Sequence, residues 1–264
     1  MERETVFGET GARLEFEESA GPGKGLVIIC PGGGYEFLSE REAGPVARRF
    51  AGAGWRPLIL NYSVGFELGK KPLREAAWAV RAARRIFADS LGPMPFTAVC
   101  GFSAGGHLAA SLGVHWNDET EFPDPRKRRT QRPDGLILAY PVISGGPHRH
   151  ADSFFRLHAE DRDVGYFSLE NHVTPATPPA FIWHTAADEL VPVENSLLFA
   201  GALCANRIPV EVHIYPFGPH GLSLATPEVE DAGKARHPDA HVAGWLDLCL
   251  DWLDTILKRK REGE

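Results

Sequence analysis

The run Phe96-Thr97-Ala98-Val99-Cys100-Gly101-Phe102-Ser103-Ala104-Gly105-Gly106-His107 decides how the chain is read. Its first half is apolar and short, as expected of a covered strand, and Ala104 to Val114 continues as a helical run. Between them, residues 101–105 spell Gly-x-Ser-x-Gly. With a strand before and a helix after, that motif sets a serine on a sharp, strained turn with its oxygen exposed. The residues two before and two after must be small, because strand and helix converge there. An ordinary glycine turn is the competing reading, and it does not require this strand–helix context.

Working outward, the same punctuation recurs. Leu26 to Cys30 is a continuous apolar run ending at Pro31-Gly32. Pro57 to Asn61, Thr97 to Gly101, Gly135 to Ala139, Ala180 to His184 and Val210 to Tyr215 repeat it, as strands covered on both faces do. Helical stretches separate them. Leu73 to Leu91 carries Ala76, Ala77, Val80, Ala83, Ile86 and Phe87 at three- and four-residue spacing. Ala104 to Val114, Val193 to Ala205 and His241 to Leu257 also read as helices. Strand–helix alternation implies right-handed crossovers and a mostly parallel central sheet flanked by helices, in a single domain over 1–264. Trp116 to Pro133 is polar and proline-bearing. Ser144 to Pro179 is an insertion after strand 135–139, with a helical centre expected from Ser153 to Asp161. It would hang over the strand C-termini, where ligands bind in open α/β sheets, and reads as a small cap.

Three further segments carry chemistry. Pro31-Gly32-Gly33-Gly34-Tyr35 directly follows strand 26–30. Glycines there let backbone N–H groups approach a developing oxyanion, and Ala104 would supply another N–H. A phosphate cradle is the alternative, but no Lys-Ser/Thr follows and the G-x-G-x-x-G spacing is absent. Asp188, in Trp183-His184-Thr185-Ala186-Ala187-Asp188-Glu189-Leu190-Val191-Pro192, falls just past a strand. His220, in Phe217-Gly218-Pro219-His220-Gly221, follows the next one. The order Ser103, Asp188, His220 is that of a nucleophile, an orienting acid and a base. Glu189 is a rival acid; Asp188 is preferred because it comes first after the strand.

The chain holds eleven histidines, so the base needs competition. His107 lies one turn beyond Ser103 and is expected to pack. His184 and His213 sit inside strands, where a satisfied core histidine is the ordinary outcome. His148 and His150 lie in the cap with Asp152, and His237 and His241 stand four apart. Neither pair has further metal ligands nearby in sequence, so no metal is assigned.

Composition narrows the class. A net charge of -7 and a pI near 5.9 do not fit a nucleic-acid binder. The basic run Arg126 to Arg132 stands among prolines and reads as a solvated loop, and Lys258 to Arg261 as a frayed tail. Met1-Glu2-Arg3-Glu4-Thr5 is charged, so no secretory leader is expected, and no apolar stretch approaches a membrane span. Cys30, Cys100, Cys204 and Cys249 lie apart in apolar segments and read as buried, reduced thiols of a cytoplasmic protein.

The Pro-Gly-Gly-Gly-Tyr loop, the Gly-Phe-Ser-Ala-Gly-Gly-His elbow, the Asp188 segment and the Gly-Pro-His-Gly loop together resemble bacterial α/β-hydrolases of the acetyl esterase and acetylxylan esterase type. These are relatives of the hormone-sensitive-lipase-like carboxylesterases. The likeness runs from about residue 25 to 253. It implies the α/β-hydrolase fold with a small cap, a triad of Ser103, Asp188 and His220, and oxyanion donors at Gly33, Gly34 and Ala104. It also implies a small-molecule ester substrate such as an acetylated saccharide, with no cofactor. Pro31 stands where the lipase-like relatives commonly carry His, which leaves the bracing of the loop open. A homo-oligomer is compatible with the sequence. The alternative is a serine peptidase of the dipeptidyl or acylaminoacyl type, which shares fold and triad order.

Overall fold

The computed structural model describes residues 3–17, 23–158 and 163–263. Eight strands form one sheet: β1 (Arg3–Phe7), β2 (Arg13–Glu17), β3 (Leu26–Cys30), β4 (Arg56–Asn61), β5 (Thr97–Phe102), β6 (Gly135–Ala139), β7 (Ala180–Thr185) and β8 (Val210–Tyr215). Their spatial order is β1-β2-β4-β3-β5-β6-β7-β8. β1 and β2 pair antiparallel, as do β2 and β4; every neighbouring pair from β4 through β3 to β8 is parallel.

The apolar strands are covered on both faces, and alternation along each strand sorts its side chains. Leu26, Ile28 and Cys30 join one cluster with Ala77, Val80, Leu108 and Phe199. Val27 and Ile29 join the other with Val46, Phe50, Trp245 and Leu253. Helices Lys71–Ile86, Ala104–His115 and Glu194–Ala205 thus cover one face, and helices Gly44–Gly52 and Trp245–Glu262 the opposite face. The parallel strands all end on the same edge, where their following loops meet.

Several expectations need correction. The antiparallel hairpin β1–β2 is absent from the sequence reading, although Leu14 and Phe16 alternate with Glu15 and are buried. β8 is not covered on both faces: it is the sheet edge, and most of it is half-exposed. His213 on that strand is accordingly a half-buried partner of Glu211, at 2.8 Å, and not a core histidine. The basic run is a helix, Pro125–Gln131, in place of a loop. Asp124 accepts hydrogen bonds from the N–H groups of Arg126 and Lys127, and Pro125 starts the first turn. Lys258 to Arg261 does not fray; the last helix runs to Glu262, and Lys260 reaches Asp134. Cys204 is exposed, unlike Cys30, Cys100 and Cys249.

The inserted segment after β6 folds onto the helical face. Helices Ala151–Arg156 and Val164–Phe167 bury Phe154 and Phe167. The helix expected from Ser153 to Asp161 ends at Arg156, and residues 159–161 lie outside the described residues. The N–H groups of Leu68 and Gly69 donate to the carbonyls of Arg156 and Leu157. Asn195 Oδ1 accepts from the N–H groups of Ile143 and Ser144, each at 2.9 Å. His107 Nε2 meets the Phe167 carbonyl at 3.0 Å, and His115 Nε2 the Tyr166 carbonyl at 3.0 Å while its ring stacks on Tyr166.

Burial pushes the His107 and His115 imidazoles from an ordinary 6.5 down to about 4, against those opposing hydrogen bonds. Both are therefore neutral in the folded protein at neutral pH, while the unfolded chain protonates them more readily. Their contribution to stability is complete above the unfolded value and is lost as pH falls from about 6.5 toward about 4. The urea midpoint is expected to fall through that window. In His115→Gln, whose amide can still reach the Tyr166 carbonyl, the fall should be about half as steep; urea titrations at pH 7.5, 6 and 5 check it.

Candidate active site

Ser103 sits at the end of β5 and caps the helix Ala104–His115, with φ 53° and ψ −117°. Non-glycine residues rarely hold a positive φ, so the surrounding packing must enforce it. The packing is visible in its neighbours. A Cβ on Gly101 would lie 2.1 Å from the Gly105 carbonyl oxygen, and one on Gly105 would lie 2.0 Å from that of Cys30. Strand, turn and helix therefore close on each other only with glycine at both places. Ser103 N–H donates to the Ala139 carbonyl on β6 at 3.0 Å, which fixes the turn against the next strand.

His220 Nε2 lies 2.8 Å from Ser103 Oγ, and His220 Nδ1 lies 2.6 Å from Asp188 Oδ2. An ionised carboxylate only accepts, so Nδ1 carries the hydrogen and Nε2 presents its lone pair to the serine hydroxyl. Asp188 Oδ1 accepts from the N–H groups of Leu190 and Val191 at 3.0 and 2.9 Å. Burial raises the Asp188 carboxyl, but hydrogen bonds from His184, His220 and Val191 and the His220 charge outweigh it. They hold the group well below the usual carboxylate range. Glu189, the rival acid, is exposed and makes no hydrogen bond to His220 among the described residues. Glu194 pairs with His148 at 3.9 Å and Asp163 precedes helix Val164–Phe167, so neither carboxylate bonds to His220.

The glycine loop lies beside the serine. Gly32 N–H is committed to Glu42 Oε2 at 2.8 Å. The N–H groups of Gly33, Gly34 and Ala104 donate to no acceptor among the described residues; Gly33 and Gly34 line the same cleft as Ser103, and Ala104 follows it directly. Tyr35 OH meets His107 Nδ1 at 2.9 Å, and Tyr62 OH donates to the Pro31 carbonyl. These contacts, with Glu42, brace the loop in the absence of a histidine before the glycines.

Four residues escaped the sequence reading. Glu42, 4% exposed, accepts from Gly32 N–H and, at 2.6 Å, from Tyr140 OH. Tyr140 OH in turn accepts from Ser223 N–H at 3.0 Å, and its ring stands edge-on to His220 at 5.0 Å. One carboxylate thus joins the glycine loop to the histidine loop. Arg236 Nε donates to the His220 carbonyl and Arg41 to the Gly221 carbonyl, each at 2.8 Å, and both clamp the histidine loop from outside. His184 is the satisfied core histidine expected, yet its Nε2 also reaches Asp188 Oδ2 at 3.2 Å while Nδ1 meets Ser196 Oγ at 2.8 Å. Its place four residues before Asp188 was the only signal available. The pair His237 and His241 separates: His237 contacts Glu230 and His241 lies against Tyr215.

A cleft of about 500 Å³ opens over Ser103 and His220, lined also by Gly33, Gly34, Phe37, His150, Asp152 and Arg156. No helix among the described residues is long and apolar enough to cross a membrane.

The parallel sheet, the serine on a strained turn after β5 and the hydrogen-bonded serine, histidine and aspartate define an α/β-hydrolase. No family model matches the chain. The solved acetyl ester-xyloside bifunctional hydrolase of Caldicellulosiruptor lactoaceticus superposes with a TM-score of 0.78 at 36% identity, over 94% of this chain and 89% of that one. Endo-1,4-beta-xylanase B of Butyrivibrio fibrisolvens is 39% identical over 209 residues, covering 76% of this chain and 33% of that protein. The acetylxylan esterase of Xylanibacter ruminicola is 29% identical over 219 residues, covering 78% and 42%. The chain belongs to the α/β-hydrolase carboxylesterases of the acetyl esterase and acetylxylan esterase type. It spans 33%, 42% and 56% of the length of three curated relatives.

Replacing Glu42 by Gln swaps one acceptor for an N–H donor that cannot serve both Gly32 and Tyr140. Loss of a buried charged hydrogen bond is worth about 1.5–3 kcal/mol. Ester hydrolysis by Glu42→Gln is therefore expected to lose about tenfold to a hundredfold in kcat with KM nearly unchanged. Steady-state kinetics on p-nitrophenyl acetate read both constants.

Proposed function

We propose that this chain is a serine carboxylesterase that hydrolyses short-chain acyl esters, acetyl esters of saccharides foremost, through an acyl-enzyme on Ser103. The observation that carries the reading is the unbroken chain Ser103 Oγ, His220 Nε2, His220 Nδ1, Asp188 Oδ2, with spacings of 2.8 and 2.6 Å. His220 takes the serine proton as Oγ attacks the ester carbonyl, and Asp188 holds the imidazole tautomer and stabilises its charged form. The N–H groups of Ala104 and of Gly33 or Gly34 receive the oxyanion, about 3–4 kcal/mol for a single donor. The alcohol leaves with the proton from His220. Water, activated by the same imidazole, then releases the acid from Ser103.

The saccharide part of the proposal follows the relatives: one is named an acetylxylan esterase, another an acetyl ester-xyloside hydrolase. Neither is named for a peptidase, so the peptidase alternative gains no support. In this reading the whole chain is one catalytic unit, and segment 144–179 is a cap whose His150, Asp152 and Arg156 wall the cleft.

Ser103→Ala is expected to abolish ester hydrolysis with the fold intact, and a fluorophosphonate probe to label the wild type at Ser103. Mass spectrometry of the labelled peptide, with circular dichroism of the variant, checks both. Labelling at another residue would remove Ser103 from its role.

Asp188→Asn should lower kcat by roughly 10⁴, because an amide favours the wrong imidazole tautomer and cannot stabilise imidazolium. Glu189→Gln, altering an exposed neighbour, should change kcat less than twofold. The two variants are compared on one acetyl ester, with circular dichroism as the folding control.

A further inference from the structure

The cleft wall contributed by the inserted segment carries two polar groups that no described residue satisfies. His150 Nδ1 accepts from Ser153 N–H at 3.4 Å and meets Ser153 Oγ at 2.9 Å. A backbone N–H can only donate, so Nδ1 offers a lone pair and the neutral ring carries its hydrogen on Nε2. Burial, followed by the charge of His220, holds the imidazole below its usual value, which agrees with that neutral form. Nε2–H has no acceptor among the described residues. Asp152 lines the same cleft, and its carboxylate accepts no hydrogen bond from them.

Position selects the half of the substrate these groups meet. The leaving oxygen must receive its proton from His220, so the alcohol lies on the histidine side of the serine. His150 lines the cleft together with His220, and its Cε1 lies 3.8 Å from where a Cβ on Gly34 would stand. Beyond it, Arg156 pairs with Glu36 at 2.9 Å over the exposed ring of Phe66. An alkyl alcohol would desolvate a free N–H and a carboxylate without replacing their water. Vicinal hydroxyls answer both, since each donates and accepts. Acidic and basic side chains line the cleft in near-equal number, which selects for no net charge on the ligand.

We propose that His150 Nε2–H and the Asp152 carboxylate form a leaving-group subsite that selects esters of neutral polyhydroxylated alcohols. The proposal rests on the esterase reading of Ser103, His220 and Asp188. Its test compares a monoacetylated methyl xyloside with cyclohexyl acetate, a ring of similar size without the hydroxyls, using p-nitrophenyl acetate to report the triad. The wild type should favour the xyloside ester in kcat/KM. His150→Phe and Asp152→Ala should each lower the xyloside-to-cyclohexyl ratio about tenfold, the equivalent of one hydrogen bond. Asp152 is exposed, so its variant keeps the fold even if His150→Phe does not. A wild type without the preference, or an unchanged ratio in either folded variant, overturns the subsite while hydrolysis of p-nitrophenyl acetate leaves the esterase reading standing. A wild type that cleaves none of the three esters overturns both.

Discussion

The helix that follows Ser103 starts so close to the end of β3 that no side-chain carbon fits between them. Gly105 lies where a Cβ would meet the carbonyl oxygens of Cys30 and Pro31 at 2.0 and 2.5 Å. Close approach at this one place has several effects. It forces the left-handed backbone of Ser103, which turns the hydroxyl away from the sheet. It also brings the N–H of Ala104 beside the glycine loop that leaves β3 at Pro31. The placement of Ser103 and of the N–H groups beside it is thus set by one contact between a strand end and a helix start, and the core on both faces of the sheet holds that contact closed.

Two buried carboxylates arrange the rest. Asp188 is surrounded by donors, two backbone N–H groups and two imidazoles, so its charge is stabilised in place. A carboxylate held in this way loses little by leaving water, and a neighbouring imidazolium gains from it. Glu42 has fewer donors but a wider reach, because its two oxygens serve different loops. The glycine loop and the histidine loop come from distant parts of the chain. Their registration depends on Glu42 and Tyr140, on a 3₁₀ turn and a post-strand turn respectively.

The parallel strands and their flanking helices are legible because each buried strand is a continuous apolar run, and helix Lys71–Ile86 shows a clear apolar stripe. The elements that escape are those with weaker burial. β1 and β2 form an edge hairpin whose alternation is short and charged, and β8 is half-exposed although its sequence resembles a covered strand. Helix Pro125–Gln131 has no apolar stripe; it exists because Asp124 caps it and Gln131 is tied to its neighbours. For the site, chain order and loop chemistry single out Ser103, Asp188 and His220. Glu42, Tyr140 and Arg236 carry no local signal, since their partners lie 10, 83 and 16 residues away. Such contacts are properties of the assembled fold.

His107 joins two bodies that the substrate would meet separately. One ring nitrogen holds Tyr35 of the glycine loop, and the other holds the carbonyl of Phe167 in the inserted segment. Both hydrogen bonds are buried, so neither can be exchanged for water without cost. A displacement of the inserted segment must therefore carry the glycine loop with it or break a buried bond. By reciprocity, a ligand that tightened the glycine loop would also tighten the wall made by the inserted segment. The two halves of an ester would then be gripped with one stiffness, shared between that neutral imidazole and the Arg156–Glu36 pair.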